Sequence, residues 1–188
     1  VIGFGARKLF DDDNGPKYLN SSDTLVYHKS QVLYGIDLAK KEISKQQQVV
    51  VVEGYTDVMA CHLAGVTTAV ATCGTAFGDE HIRILNRMLT SDTKPAEVIF
   101  TFDPDAAGQK AAMRAYNDSG KFNAQTFVAV GPDGLDPCDL RSARGDEAVV
   151  EMITKRRPIY EFAIKQKIAP FDMSSVEGKV AAARAAAP

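Results

Sequence analysis

Four short runs of apolar residues along the chain are typical of strands buried on both faces of a parallel sheet. These runs cover residues 48–53, 67–72, 97–102 and 124–130. Helical patterns follow the first three runs, at 55–64, 78–89 and 106–117. The alternation of strands and helices predicts an α/β fold built on a parallel sheet flanked by helices.

The composition changes on both sides of this alternating region. Beyond Gly145, three helical patterns at 146–155, 159–167 and 176–187 are separated by prolines. Ahead of it, residues 1–22 are rich in Gly, Asn and Asp with short strand-like pieces, and Asp11-Asp-Asp-Asn14 is typical of a solvated turn. We therefore expect three units, at residues 1–47, 48–145 and 146–188.

Composition excludes several classes of protein. The 188 residues are 45% hydrophobic and 24% charged, which is ordinary for a soluble globular chain. No run approaches the ~20 apolar residues that a bilayer needs, and no signal peptide is visible. The three cysteines form no C-x-x-C pair, which argues against a disulfide framework or a structural zinc site and fits a reducing cytosol. Without an initiator Met, the chain is expected to be a fragment.

Charge is distributed unevenly along the chain. The net charge is +1 over residues 1–48, −6 over 49–147 and +3 over 148–188, which gives −2 overall. An acidic centre between mildly basic ends is a poor direct binder of polyanions. It is suited instead to holding divalent cations.

Acidic residues follow three of the predicted strands. Glu53 ends the first strand, Asp103 and Asp105 follow the third, and Asp136 and Asp139 lie in the loop after the fourth. Parallel strands bring these ends to one edge of the sheet, where like charges repel unless a cation relieves them. Oxygen ligands without a His or thiolate partner indicate Mg²⁺ or Mn²⁺ rather than zinc.

Each acid also has an ordinary structural interpretation. Asp105 precedes an Ala-rich helix and would suit its N-cap. Asp57 could be a first-turn acid favoured by the helix dipole. The joint placement at three strand ends favours a metal site over these separate explanations.

The arrangement of these acids resembles the Toprim domain of topoisomerases, primases and related nucleases. Within that group, the sequence motifs are most similar to those of bacterial DnaG-type primases. The motifs that carry this resemblance are Glu53-Gly-Tyr-Thr-Asp-Val58, Phe102-Asp-Pro-Asp-Ala-Ala-Gly108, Pro132-Asp-Gly-Leu-Asp-Pro137, Val1-Ile-Gly-Phe-Gly-Ala-Arg7, Pro16-Lys-Tyr-Leu-Asn-Ser21 and Leu33-Tyr-Gly35. They occur in the family's order from one end of the chain to the other.

The resemblance implies a Toprim-type sheet with the end of an N-terminal α+β primase subdomain and the start of a C-terminal helical subdomain. It implies a DNA-directed RNA polymerase that makes short RNA primers on single-stranded DNA by nucleotidyl transfer, with two or more Mg²⁺ or Mn²⁺ ions. Glu53, Asp103 and Asp105 would be catalytic, with Glu53 either a ligand or the base. The implied metal ligands and their supporting carboxylates are Glu53, Asp103, Asp105, Asp136, Asp139 and Asp57.

The second acidic position of the family's D-P-D loop is Cys138 here, so either Asp139 takes over as a ligand or Asp136 suffices.

The family also implies partners and a location. Nucleotide-binding side chains would be Arg7, Lys17, Asn20 and Lys29. The template would be single-stranded DNA, the substrates ribonucleoside triphosphates, and the location the cytoplasmic replication fork, without a membrane. A replicative helicase would bind through a C-terminal region absent here. Zinc would belong to a separate module. Because this fragment would lack both that module and the helicase-binding region, we expect it to prime poorly.

Two other classes of function remain open. A Toprim nuclease or topoisomerase-like strand breaker would share the acids, although Tyr55 and Tyr116 look structural rather than nucleophilic. In a non-enzymatic receiver-like module, Asp103 would accept a phosphoryl group, but the lysine that such a module needs near the last strand cannot be placed. A P-loop ATPase is disfavoured because the chain has no G-x-x-x-x-G-K-[ST] motif.

Overall fold

A small antiparallel hairpin precedes the main sheet in the computed structural model. The structure describes every residue except 9, 11, 13, 17, 73, 92, 103–105 and 188, and the side chains of 106 and 107. In the hairpin, β1 (Gly5–Arg7) pairs with β2 (Tyr18–Asn20), and Gly5 lies opposite Asn20. The short strand-like pieces expected near the N-terminus are therefore present as β1 and β2.

The main sheet is formed largely by parallel strands. Its members in the described chain are β3 (Gln48–Val52), β4 (Ala69–Ala71), β5 (Glu97–Thr101), β6 (Gln125–Ala129) and β7 (Arg157–Pro158). The spatial order is β4-β3-β5-β6-β7, and β7 alone among these five runs antiparallel to its neighbour. The first four strands therefore end at the same edge of the sheet, where ligands of open parallel sheets bind.

Helices cover both faces of this sheet. They are α1 (Ile36–Gln46), α2 (Tyr55–Leu63), α3 (Asp79–Asn86), α4 (Ala106–Asp118), α5 (Pro137–Arg144), α6 (Asp146–Thr154), α7 (Ile159–Ile168) and α8 (Val176–Ala186). Residues of α1, α3, α4 and α7 pack with Val49 and Val51, whereas α2, α5 and α6 pack with Val50 and Val52. Alternate strand residues point to opposite faces. The uninterrupted valine run thus fills two cores.

The predicted α/β fold is confirmed. The four predicted strands and six predicted helices are present, with ends that differ from the sequence pattern by up to three residues. Ser175 caps α8, since its hydroxyl accepts a hydrogen bond from the Gly178 amide at 3.0 Å. None of the described helices is long and apolar enough to cross a bilayer.

Two of the described α-helices and one strand of the main sheet were not predicted from the sequence. α1 buries only Ala39 and Ile43, so its apolar pattern is weak. The acidic composition of 131–139 favours a loop, yet Asp136 followed by Pro137 starts α5, as a capping residue before proline often does. β7 has two residues and forms through its pairing with β6, too short a segment for a pattern to show.

Candidate metal centre

The carboxyl ends of β3, β4 and β5 open into a cavity of about 290 Å³. Glu53 lies on the wall of this cavity directly after β3, and it is exposed. Phe102 and Gly108 line the same cavity, before and after the segment 103–105. The predicted ligands Asp103 and Asp105 themselves lie outside the described residues. The residue immediately before the segment 103–105 and a residue shortly after it therefore line the same cavity as Glu53.

Asp57 lies inside the protein, in the first turn of α2. Its side chain is 4% exposed and accepts hydrogen bonds from the backbone amides of Gly54 at 2.9 Å and Cys138 at 3.4 Å. The carboxylate thus joins the N-terminal end of α2 to that of α5. A negative charge is favourable beside two helix N-termini, so this position has a structural reason for an acid. Its support of a bound cation stays a prediction.

Asp136 and Asp139 belong to the first turn of α5. Asp136 is the N-cap, and its Oδ1 accepts a hydrogen bond from the Asp139 amide at 2.7 Å. Asp136 is half-buried and Asp139 is exposed. The cap leaves the other carboxylate oxygen of Asp136 out of this hydrogen bond, so capping does not by itself prevent metal ligation. Their predicted roles as ligands stay open.

Cys138 stands between these carboxylates. Burial first, and then the nearby charges of Asp136 and Asp57, raise the pKa of its thiol, although a hydrogen bond with the Thr56 side chain acts in the opposite direction. The thiol is therefore neutral near pH 7 in the absence of a cation. The same thiol is half-buried against α2.

Two of the predicted nucleotide-binding residues lie in the hairpin. Arg7 hydrogen-bonds the Tyr18 side chain, which raises the pKa of its guanidinium, and the more distant carboxylate of Asp139 acts in the same direction. Its guanidinium carbon lies 6.0 Å from the centre of the Tyr18 ring. Asn20 accepts a hydrogen bond from the Tyr55 hydroxyl. The hairpin is therefore attached beside the carboxylate edge of the main sheet.

Lys29 lies in a short 3-10 turn at Lys29–Gln31 and is held through its backbone. Its amide donates to Asp23 Oδ1 at 3.2 Å, and its carbonyl lies 3.3 Å from His81 Nε2. His81 is 1% exposed, and its Nδ1 accepts a hydrogen bond from the Gly78 amide at 3.2 Å. The imidazole thus fastens Lys29 to the start of α3. The predicted contact Lys17 lies outside the described residues.

The structure adds side chains that the sequence patterns did not single out at this edge. The Tyr18 hydroxyl lies 3.4 Å from the Thr56 hydroxyl, which also hydrogen-bonds Cys138. A signal for Tyr18 was present, because strand alternation places it on the same face as Asn20. Thr56 carries no comparable signal, since its importance depends on contacts with distant segments.

The chemistry of the available donors fits a hard divalent cation. Glu53, Asp136 and Asp139 offer carboxylate oxygens, the ligands that Mg²⁺ and Mn²⁺ prefer. Within the described part of the chain, no three His, Cys, Asp or Glu side chains are arranged to hold a metal ion together.

Two family models match separate parts of the chain. Residues 47–130 match the family model of the Toprim domain, and residues 1–40 match that of the DNA primase catalytic core, N-terminal domain. The Toprim match is consistent with the use of divalent metal ions. The boundaries of the three units expected from the sequence stay a prediction.

Individual relatives agree with these matches. All 188 residues of the chain align with a DNA primase of Streptomyces coelicolor at 64% identity, and they span 29% of that protein. The chain is 56% identical to a DNA primase of Mycobacterium tuberculosis, again over its full length, and spans 30% of it. The chain thus covers less than one third of these relatives.

Solved structures resemble the fold closely. The RNA polymerase domain of Mycobacterium tuberculosis primase DnaG aligns with a TM-score of 0.84 and 55% identity, over 98% of this chain and 58% of that one. A DnaG primase catalytic domain bound to single-stranded DNA aligns with a TM-score of 0.78 and 34% identity, over 96% of this chain and 55% of that one.

Proposed function

Because this chain belongs to the bacterial DnaG-type DNA primases, as a segment of their catalytic domain, we propose that it supplies the catalytic centre of a DNA-directed RNA polymerase. The enzyme would join ribonucleotides into short primers on single-stranded DNA. In this reaction a 3′-hydroxyl attacks an incoming α-phosphate and pyrophosphate leaves.

One observation carries the proposal: the hairpin is attached beside the carboxylate edge. Asn20 of the hairpin and Glu53 of the main sheet line a common cavity of about 40 Å³. A nucleotide bound over this small cavity could meet the carboxylate edge with its phosphates while side chains of the hairpin contact it. A Toprim sheet alone would provide the acids without this second surface.

The cation would be Mg²⁺ or Mn²⁺, with two or more ions in the site. We assign Glu53, Asp103, Asp105 and Asp136 as ligands, some through water. Asp57 and Asp139 would support the site. Bound divalent cations stabilise negative charge on the attacking and leaving oxygens of such a displacement. Glu53 either ligates a cation or accepts the proton of the 3′-hydroxyl, and its exposed position beside the cavity suits both roles.

The cationic side chains would act on the nucleotide. Arg7 and Lys29, with Lys17, would offset the charge of the triphosphate, and Asn20 would hydrogen-bond it. Arg7 is well suited because it already lies within electrostatic reach of Asp139 at the start of α5. An acidic surface accepts a triphosphate only when cations reverse its local field.

The remaining partners concern the whole protein. Single-stranded DNA would be the template and ribonucleoside triphosphates the substrates. A replicative helicase would bind through a C-terminal region, and zinc would belong to a separate module. Much of a basic template groove would lie outside this segment, so the segment alone should prime weakly.

The proposal is tested in the full-length protein with template-dependent primer synthesis. Asp103→Asn and Glu53→Gln should each lower synthesis by at least about a hundredfold, because each removes an anionic carboxylate oxygen that would ligate the divalent cations or, for Glu53, accept the proton of the 3′-hydroxyl. Glu177→Gln, in the first turn of α8, is the matched control and should retain activity. Wild-type rates in Asp103→Asn would refute the assignment.

The same preparations separate priming from strand cleavage. A nicking assay on supercoiled DNA should show no divalent-dependent cleavage when primer synthesis is robust. Cleavage without primer synthesis would instead support the Toprim nuclease alternative.

A further inference from the structure

Three tyrosines surround the junction between the hairpin and α2. The Tyr55 ring makes edge-to-face contacts with Tyr18, at 6.1 Å between ring centres, and with Tyr34, at 4.7 Å. Such edge-to-face geometry is favourable between aromatic rings. Tyr55 is therefore held on two sides, at the first position of α2 and two residues after Glu53.

The hairpin approaches Tyr55 closely because its strand carries a glycine there. A Cβ at Gly5 would lie 2.5 Å from the Tyr55 hydroxyl oxygen, so any larger residue would displace the ring. Gly5 is also the strand partner of Asn20. The Tyr55 hydroxyl consequently reaches the hairpin at the level of Asn20.

The Asn20 amide is held in a defined orientation. Its Oδ1 accepts the hydrogen bond from Tyr55, and its Nδ2 faces Gly74, where a Cβ would lie only 2.6 Å away. Gly74 has a φ of +73°, which also favours glycine. Asn20, Tyr55, Gly74 and Glu53 all line the cavity of about 40 Å³.

We propose that Tyr55 is a positioning residue, whose hydroxyl engages the Asn20 carbonyl oxygen and so keeps the Asn20 NH₂ group available as a donor to the nucleotide beside Glu53. The inference rests on the proposed function, because it assumes that Asn20 meets a nucleotide. Tyr55 itself touches the amide rather than the reacting atoms. Its contribution is preorganisation, which lowers the cost of ordering Asn20 when substrate binds.

The first test is Tyr55→Phe in the full-length protein, assayed for primer synthesis at varied ribonucleoside triphosphate concentration. KM should rise about three- to tenfold, as expected for loss of one neutral hydrogen bond, whereas kcat should stay within about twofold. The Mn²⁺ concentration that gives half-maximal activity should not change. Tyr160→Phe, on the exposed surface of α7, removes a hydroxyl elsewhere and should leave KM unchanged.

A double-mutant cycle shows whether Tyr55 acts through Asn20. Asn20→Ala should raise KM, and Tyr55→Phe should add nothing in the Asn20→Ala background. Independent, multiplying effects would overturn the proposal. So would an unchanged KM in a folded Tyr55→Phe variant.

Asn20→Asp keeps an acceptor for Tyr55 but removes the NH₂ donor, so it tests the proposal even if Tyr55→Phe fails to fold. Its KM should rise at least as much as that of Asn20→Ala, and a wild-type KM would refute the inference. An unchanged KM in these variants would refute the role of Tyr55 alone. If the proposed function itself were wrong, the wild-type protein would show no primer synthesis.

Discussion

The carboxylate of Asp57 hydrogen-bonds the backbone amide of Cys138, 81 residues later in the chain. The same side chain accepts a hydrogen bond from the Gly54 amide. Asp57 therefore sets the position of the loop after Glu53 relative to the turn that contains Asp136. One buried acid thus connects the two described parts of the carboxylate edge.

Substitution of Asp57 by Asn should destabilise this connection. The amide keeps one acceptor oxygen but places an NH₂ group against a backbone amide and removes the charge at two helix N-termini. We expect a loss of about 1–3 kcal/mol in the free energy of unfolding. Chemical denaturation of the variant measures it. Asp37→Asn, an exposed first-turn acid of α1, should cost no more than about 0.5 kcal/mol; equal losses in the two variants would contradict a special role for Asp57.

Two substitutions at Asp136 should separate its capping role from its ligand role. Asp136→Ser retains an N-cap and should unfold at nearly the wild-type denaturant concentration, while divalent-dependent primer synthesis falls sharply. Asp136→Ala loses the cap as well and should cost about a further 1 kcal/mol in stability. Denaturation and primer synthesis are measured on both variants of the full-length protein. Full activity in a stable Asp136→Ser variant would exclude Asp136 as an essential ligand.

His81 should make the fold less stable in mild acid. Burial lowers the pKa of its imidazole below the ordinary 6.5 and outweighs the opposing effects of Glu80 and of the Lys29 and Val32 backbones. The unfolded chain then binds the proton more readily, so stability is full above about pH 6.5 and is lost as the pH falls below it.

Denaturant midpoints between about pH 5 and 8 test this expectation. His81→Gln should lower the midpoint at neutral pH and flatten its decline in acid. His28→Gln, at an exposed imidazole, should leave the decline in place. A wild-type decline that persists in His81→Gln would assign the effect to other groups.

Cys138 should be a spectator at the metal centre. Its thiol is neutral and in contact with Thr56, while Asp136 and Asp139 offer oxygen ligands. Cys138→Ser should therefore be close to neutral for Mg²⁺-dependent activity, whereas Cys138→Asp should tighten divalent binding by adding a carboxylate. Both are measured by metal titration of primer synthesis.

Cadmium distinguishes a spectator from a ligand, because a thiolate prefers Cd²⁺ to Mg²⁺. Under reducing conditions, Cd²⁺ should inhibit the wild-type protein and Cys138→Ser equally. Loss of Cd²⁺ sensitivity in Cys138→Ser would place the sulfur next to the ion.

Local sequence was sufficient to predict the parallel sheet and the acids that follow its strands. Strands buried on both faces must be apolar at every position, so β3 and β5 stand out as uninterrupted runs. The residue after such a run must lie at the edge of the sheet, which placed Glu53 without knowledge of any contact. The confirmed helices likewise carry their own periodicity or capping residue.

Tertiary structure alone decided how these parts meet. Asp57 is a first-turn acid in the sequence, but its burial depends on α5 packing against α2. Asn20 gains its orientation from Tyr55, which lies 35 residues away, and β7 exists only because β6 offers it a partner. These relationships depend on the order of strands and the packing of helices. Local periodicity records which face of an element is buried, but not which distant side chain will meet it there.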